Sequence, residues 1–533
     1  MKGLYSKIKT PMWLILSGLL TSLPLIITEL GFLQWVSIIP AAIIIMRAAS
    51  DSAVRYRRLY GMGVLFFGAY YALSYHWFFY MYPLDFAGLS NAASLGVVLI
   101  ACFGLGLFQA VQTALVFLLL GVVARNQFAQ RCRIILPVCA ASLWVIFELW
   151  QTVGWWGVPW ARLPLGQIDA TVMVRSSALF GSYFVTFTIV AVNFLFATAI
   201  ISREKRRLAT IMAIGVFSLN LLLGTLVTLT YVDSGEKITV AAAQGNLSSS
   251  EKWSGGRKNT KQIYATLTEN AAKSGAEMVL WPETALPYPA FFDDEDLMNY
   301  ASGLARENNV TIILSTFTED EETGGSRNSI IEVKPDGSFG KSVYSKQRLV
   351  PFGEFVPMRE FVTFVFPPLS EIGMLEDDLV PGEGSEVIES EIGVIGCGIC
   401  FDSIYEEVVL EAVRNGAEII VISTNDSWFS DSAALDMHNG QARLRAIETG
   451  RYVVRSANTG ISSIIDPMGN VKSELGALER GVVVSEISAR SENTLYVYIG
   501  NLFAYLCLAF VFGMSSVTVY ETVKGRTNRI GKI

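Results

Sequence analysis

A cysteine, a carboxylate and an amine can together run covalent acyl chemistry, and this chain offers one of each where the pattern of its residues ends a strand. Cys400 follows the apolar run Glu391-Ile392-Gly393-Val394-Ile395-Gly396-Cys397-Gly398-Ile399, which reads as a buried strand. After it come Phe401-Asp402 and then Ser403-Ile404-Tyr405-Glu406, the pattern of a capping box that opens a helix. The sulfur is thus expected on a strand-to-helix turn, near the positive end of a helix dipole, a setting that favours thiolate over thiol. Two other fates are open to it. It could be a small core residue, or it could pair with Cys397 in a redox couple. The couple fits poorly, because Cys397 falls inside the strand, where a thioredoxin-like pair exposes its first cysteine.

Glu283 stands in Leu280-Trp281-Pro282-Glu283-Thr284-Ala285-Leu286-Pro287, where a proline stops an apolar strand and a carboxylate follows. Beside Trp and Leu it would be partly desolvated, which suits a general base. A helix N-cap would look the same. Lys346, in Tyr344-Ser345-Lys346-Gln347-Arg348-Leu349-Val350-Pro351-Phe352-Gly353-Glu354-Phe355, closes the second strand of a hairpin. Such a lysine is ordinarily solvated. As a fixed cation it would stabilise the oxyanion of a tetrahedral intermediate together with the Phe401 N–H, with Glu354 orienting it or helping move the proton.

The elements around these residues alternate. Strands fit Ile238–Ala243, Met278–Trp281, Val310–Ser315, Gly393–Ile399, Glu418–Ser423, Tyr452–Ser456, Ile461–Ile465 and Val482–Ile487, and Ser329–Val333 pairs with Ser342–Ser345 across the Pro335-Asp336-Gly337 turn. Helical patterns cover Asn259–Ser274 and Tyr405–Arg414. Gly275-Ala276-Glu277 and Gly416-Ala417-Glu418 each stop a helix and lead into a strand, a weak internal echo that points to layered α/β architecture.

The remainder of the chain is of another kind. Over 533 residues, 52% are apolar and 17% charged, with a mean hydropathy of +0.42. Residues 11 to 231 hold most of the long apolar runs. Seven of these are long enough to suggest membrane spans, roughly 11–28, 31–46, 61–82, 93–123, 134–150, 171–200 and 208–231, with an eighth at 494–519. Five basic islands, around Lys7, Arg57, Arg131, Arg206 and Arg526, fall on one side if the eight alternate, so both termini are expected in the cytoplasm and the globular part outside. The organisation expected is a membrane domain over 1–231, an extracytoplasmic domain over 232–490, and a last span with a basic tail over 491–533. The Trp-rich loop 154–162 belongs to the interfacial aromatic belt or frames a lipid headgroup. Six scattered cysteines form no disulfide framework, and the two histidines, His76 and His438, lie far apart in sequence, so neither a metal nor another cofactor is expected. A net charge of −7 with no basic stripe in the globular part argues against nucleic acid.

Taken together, these motifs resemble the nitrilase (carbon–nitrogen hydrolase) superfamily, and with the spans the whole chain resembles the apolipoprotein N-acyltransferase family. The resemblance includes Gly157-Val158-Pro159-Trp160, Gln244-Gly245-Asn246 with Trp253, the Trp281–Pro287 and Lys346–Glu354 runs, and Ile399-Cys400. It continues through Asn425-Asp426-Ser427-Trp428-Phe429, His438, Arg445-Ala446-Ile447-Glu448 and Asn458-Thr459-Gly460-Ile461-Ser462. It implies an αββα sandwich joined to a multi-pass helical membrane domain, with Glu283 as base, Lys346 as oxyanion stabiliser, Cys400 as nucleophile, Glu354 as supporting carboxylate and Trp253 shaping the substrate pocket. The family commonly carries Tyr-Glu after the cysteine where this chain has Phe401-Asp402, so the acceptor side departs from the family pattern.

The reaction so implied takes an acyl group from a phospholipid onto Cys400 and passes it to the free amine of an S-diacylglyceryl-cysteine on an apolipoprotein, at a bacterial inner membrane. The apolar residues Phe352, Phe355, Val356, Phe361, Phe364, Val365, Phe366 and Leu369 are expected to form an arm that dips into the outer leaflet, with Leu286–Phe292 as a second arm; the other reading of the first stretch is buried core. The rival functions are a membrane-tethered amidase, an acyltransferase for another amine, and a transporter or scaffold. The last is disfavoured because Glu148 and Arg175 are the main charges within the spans.

Overall fold

The computed structural model describes residues 2–84, 90–132, 134–248, 251, 256–287, 290–365 and 378–530. It divides into two compact units, one of residues 1–79, 96–230 and 499–533, the other of residues 80–95 and 231–498.

Helices occupy all eight expected positions: Lys2–Ser22, the tight helix Thr28–Trp35 followed by Ile39–Ser50, Tyr56–Ser74, a run from Asn91 to Ala124, Ile135–Trp150, Ser182–Ile201, Arg206–Thr230 and Leu502–Ile530. Among the described residues, four are long and apolar enough to cross a bilayer, Thr28–Ser50, Asn91–Ala124, Ser182–Ile201 and Arg206–Thr230. The sixth expected span is not one helix. Thr171–Val174 and Ser177–Phe180 are short pieces, and Gly181, at φ +75°, turns the chain before Ser182–Ile201 begins. A left-handed backbone costs little only at glycine. The charges buried here answer one another. Arg162 lies 3.8 Å from Glu148, donates to Ser182 at 2.8 Å and sits over the Tyr183 ring, while Thr186 donates to Glu148 at 2.6 Å. In the Trp-rich loop, Trp155 and Trp156 are exposed and Trp160 is buried.

The second unit holds two six-stranded sheets. The first runs in the order β12 (Gly481–Ser488), β1 (Lys237–Gln244), β2 (Met278–Leu280), β3 (Thr311–Glu319), β4 (Ser326–Val333), β5 (Tyr344–Ser345). The second runs β11 (Val471–Leu475), β10 (Ser462–Ile465), β9 (Tyr452–Ala457), β8 (Ile419–Thr424), β7 (Gly393–Ile399), β6 (Val387–Ser390). Each has a parallel trio, β1-β2-β3 and β7-β8-β9, bordered by antiparallel strands. The trios are why their strands read as continuous apolar runs rather than alternating ones: both faces are covered. Helices Arg257–Lys273 and Glu295–Asn308 pack Tyr264, Leu267 and Leu304 on the outer face of the first sheet. Helices Glu406–Arg414 and Ala433–Thr449 pack Val409, Ala442 and Ala446 on that of the second. The inner faces meet directly, Ser423 donating to the Trp281 carbonyl at 2.9 Å and Ser456 to that of Ala243 at 2.6 Å. This is the expected αββα sandwich.

The hairpin register is Ser329 opposite Ser345, as the Pro335-Asp336-Gly337 turn predicts, with Gly337 at φ +83°. Gly275 and Gly416, which stop the two echoing helices, are also left-handed. The second expected arm is a correction. Leu286 bridges Thr316, and both Leu286 and Phe291 are fully buried in the core beneath the first sheet, leaving Phe292 exposed; residues 288 and 289 lie outside the described set. The first arm fares differently. On helix Arg359–Val365, Phe361 is 61% and Phe364 85% exposed, although Val356 before it is buried; Phe366 and Leu369 lie outside the described residues.

Candidate active site

The parallel strands point their carboxyl ends the same way, and the predicted site residues stand just beyond them. Glu283 follows β2, Cys400 follows β7 directly, Asn425 follows β8, and Lys346 follows β5. Ligands bind outside the carboxyl ends of parallel strands because the loops there converge on one crevice.

Lys346 is buried, and its Nζ lies 3.0 Å from Glu283 Oε1 and 2.7 Å from Glu354 Oε1. Each carboxylate is held at a second point. Glu283 Oε2 accepts the Asn425 N–H at 2.8 Å, and Glu354 Oε2 accepts the Val350 N–H at 2.8 Å. Asn328, on β4, donates its amide to Glu283 Oε1 at 2.8 Å. Burial disfavours the ammonium, but the two carboxylates outweigh it and hold Lys346 well above the usual lysine range. Two carboxylates on one cation leave the trio one negative charge in excess. Burial, and then the charge of Glu283, raise the proton affinity of Glu354 against the pull of Lys346. The trio is therefore prepared to take up a proton.

Cys400 is partly exposed, whereas Cys397 is buried within β7. Its φ is +49°, a left-handed conformation uncommon for a residue with a side chain and characteristic of strained functional turns. The expected thiolate is not what the surroundings favour: burial and the charge of Glu283 push the thiol up, with Lys346 opposing. The expected capping box is absent as well. Cys400–Ile404 is a single tight turn, the following helix starts at Glu406, and the Ser403 hydroxyl donates to the Cys400 carbonyl at 2.7 Å instead of capping a helix. One turn has little dipole to offer, so activation falls to a base that removes the proton as sulfur attacks.

Phe401, beside Cys400, packs its ring edge-on against Tyr405. Asp402 turns inward and is fully buried, accepting from the N–H groups of Ile399 at 3.0 Å and Arg348 at 2.8 Å and from the Tyr344 hydroxyl at 2.8 Å. It ties the turn bearing Cys400 to the loop bearing Lys346. Its carboxyl is pushed up to about 6 by burial. Trp253 lies outside the described residues.

Sequence reading missed Asn328, a mid-strand residue with no local signal. It also gave no role to the buried cluster below Cys400. There Asp426 receives Arg455 at 2.7 Å, Thr424 at 2.9 Å and His438 at 2.9 Å. Cys400 sulfur, an Asp426 oxygen and a His438 nitrogen lie within 4.8 Å of one another. The types could ligate a metal, but both Asp426 oxygens are engaged by Arg455, Thr424 and His438, so the donor set fits one poorly.

Residues 239–495 match the carbon-nitrogen hydrolase family and residues 17–195 the apolipoprotein N-acyltransferase N-terminal domain. The apolipoprotein N-acyltransferase of Geobacter metallireducens is 30% identical over 510 residues, covering 93% of this chain and 92% of its own. The chain belongs to the apolipoprotein N-acyltransferase family. A second relative of that name, from Gloeobacter violaceus, is 29% identical over 90% of this chain and 89% of its own. Among solved structures, the chain is similar to yeast Nit3, of the nitrilase superfamily, at 22% identity and a TM-score of 0.37, covering 49% of this chain and 92% of Nit3. It is also similar to an amidase from Nesterenkonia, at 18% identity and a TM-score of 0.37, covering 49% of this chain and 94% of the amidase. Family membership makes this chain an acyltransferase with a nitrilase-type domain and apolar membrane helices.

Proposed function

We propose that this enzyme carries a phospholipid acyl group on Cys400 as a thioester and delivers it to the free α-amine of the S-diacylglyceryl-cysteine at an apolipoprotein N-terminus. The observation that carries this is a partly exposed sulfur on a left-handed turn beside a buried ammonium bonded to two carboxylates.

In the first step the Cys400 sulfur attacks the ester carbonyl carbon as its proton passes to Glu283. Lys346, with the Phe401 N–H, stabilises the oxyanion. The carbon–oxygen ester bond breaks, the proton goes from Glu283 to the departing alkoxide, and lysophospholipid leaves. In the second step the acceptor amine attacks the thioester and gives a proton to Glu283. The carbon–sulfur bond breaks, and the thiol regains its proton. Glu354 steadies Lys346 throughout. An amine outcompetes water where the pocket excludes it. Phe361 and Phe364 supply an apolar surface suited to the outer leaflet. Trp253, Phe401 and Asp402 are assigned to the acceptor side or its support.

This reading takes residues 232–490 as the catalytic domain on the outer side of the membrane, with domain 1–231 and the span and tail 491–533 anchoring it and both termini in the cytoplasm. The test is intact-mass analysis after mixing the purified protein with phospholipid. An acyl adduct on Cys400, discharged by a diacylglyceryl-lipopeptide as amide, is the expected result, and Cys400→Ala should abolish both. Adduct formation that persists in Cys400→Ala, or release of free fatty acid with no amide, overturns the reading.

A further inference from the structure

His438 sits on helix Ala433–Thr449, fully buried, and none of the steps above uses it. Its two ring nitrogens each face oxygen. Nδ1 lies 2.9 Å from Asp426 Oδ1; Nε2 lies 3.1 Å from the Cys400 carbonyl oxygen and 3.0 Å from Ser403 Oγ. A carboxylate and a carbonyl can only accept. The Ser403 hydroxyl has one hydrogen, and its short 2.7 Å bond to the Cys400 carbonyl uses it, so toward the ring that oxygen accepts too. A neutral imidazole would aim one nitrogen lone pair at an oxygen lone pair. With both nitrogens donating, each of these three contacts is a hydrogen bond.

The charges around the ring agree. Asp426 is buried, and Arg455 on β9 donates to its other oxygen at 2.7 Å. A carboxylate between two cations keeps its charge; although burial opposes ionisation, Arg455 and then His438 hold Asp426 far below the usual range. The set of His438, Asp426 and Arg455 then carries one net positive charge, next to the sulfur. Phe429 meets the imidazole edge-on and is neutral.

We infer that His438 is a buried imidazolium that grips the Cys400 carbonyl, holds the left-handed turn and so fixes the aim of the sulfur. This rests on the reading of Cys400 as nucleophile. It makes His438 a positioning residue: it touches the peptide that carries the sulfur, and the charge it brings favours the thiolate that forms during attack.

The chain has only two histidines, His76 and His438, so a full-length sample labelled with 15N-histidine shows two imidazole pairs, and the pair lost in His438→Gln is that of His438. Both its nitrogens should be protonated in the folded enzyme; one protonated nitrogen overturns the imidazolium. The second arm is iodoacetamide alkylation of Cys400, resolved by peptide mass, which needs no lipid. Alkylation follows the thiolate fraction, and loss of the neighbouring positive charge lowers that fraction, so His438→Ala should slow alkylation about tenfold. His438→Gln, which keeps a donor and loses the charge, should fall between it and the wild type. Equal rates in wild type, His438→Gln and His438→Ala overturn the inference. Should His438→Ala fail to fold, His438→Gln and the nitrogen spectrum decide. A wild type that alkylates in this order but never takes up an acyl group defeats the proposed function and leaves this inference standing.

Discussion

Replacing Lys346 by methionine keeps the length of the side chain and deletes one charge from a set of three. Two separate losses follow. The first is chemical: a preorganised donor at a developing oxyanion is worth about 10²–10³ in rate. The second is electrostatic. Glu283 and Glu354, now 3.0 and 2.7 Å from where the ammonium was, face one another buried and uncompensated. Breaking a buried ion pair on one side costs about 3–5 kcal/mol, which the pair can escape only by binding a proton. That proton fills the place meant for the one leaving Cys400. Lys346→Met should therefore lose at least about 10²–10³-fold in thioester formation, measured by single-turnover mass spectrometry, and residual activity should climb with pH as the trapped proton is released. Adding Glu354→Gln to Lys346→Met removes the surplus charge, so thermal stability should recover while the rate does not. If Lys346→Met captures acyl groups within about tenfold of the wild type, Lys346 is not the oxyanion group and the assignment of roles fails.

Two further outcomes are expected. The Asp402 carboxyl, at about 6 in the folded protein, lies above its unfolded value of about 4. The folded state therefore binds this proton more tightly, and the contribution of Asp402 to stability falls as pH rises from about 4 to about 6 and is level above that. Asp402→Ala should erase that slope in melts taken across this range and cost about 1–3 kcal/mol for the Ile399 and Arg348 N–H groups it strands. Burying a phenylalanine is worth about 1.5–3 kcal/mol, so Phe361→Asp with Phe364→Asp should raise KM for phospholipid at least tenfold, while alkylation of Cys400 stays unchanged.

The strands that carry chemistry were the legible ones. β1, β2, β3, β7, β8 and β9 lie in the middle of sheets covered on both faces, so they appear as unbroken apolar runs, and Glu283 and Cys400 stand out as the first chemically able residues past their ends. Lys346 was legible through its hairpin. The edges were not. β6 is four residues long and β11 alternates only between partly buried and exposed positions, so neither has a strong periodic signal, and both went unplaced. Nor was the state of the sulfur: a dipole was expected from Ser403-Ile404-Tyr405-Glu406, but the left-handed turn at Cys400 diverts Ser403 to another bond. Asn328 and Arg455 are ordinary strand residues until folding brings them against Glu283 and Asp426, and no local pattern marks a contact made across that many residues. The break at Gly181 was hidden because apolar residues predominate on both sides of it, and a glycine inside such a run carries no signal of its own.

On the proposed roles, base and cation come from one sheet and sulfur from the other, so neither layer by itself contains a working centre. Reactivity is a property of the closed sandwich, joined where Ser423 and Ser456 reach across to the backbone of the opposite layer. A domain whose layers have not yet met holds an idle thiol, and the enzyme comes into being in the same event that finishes its folding.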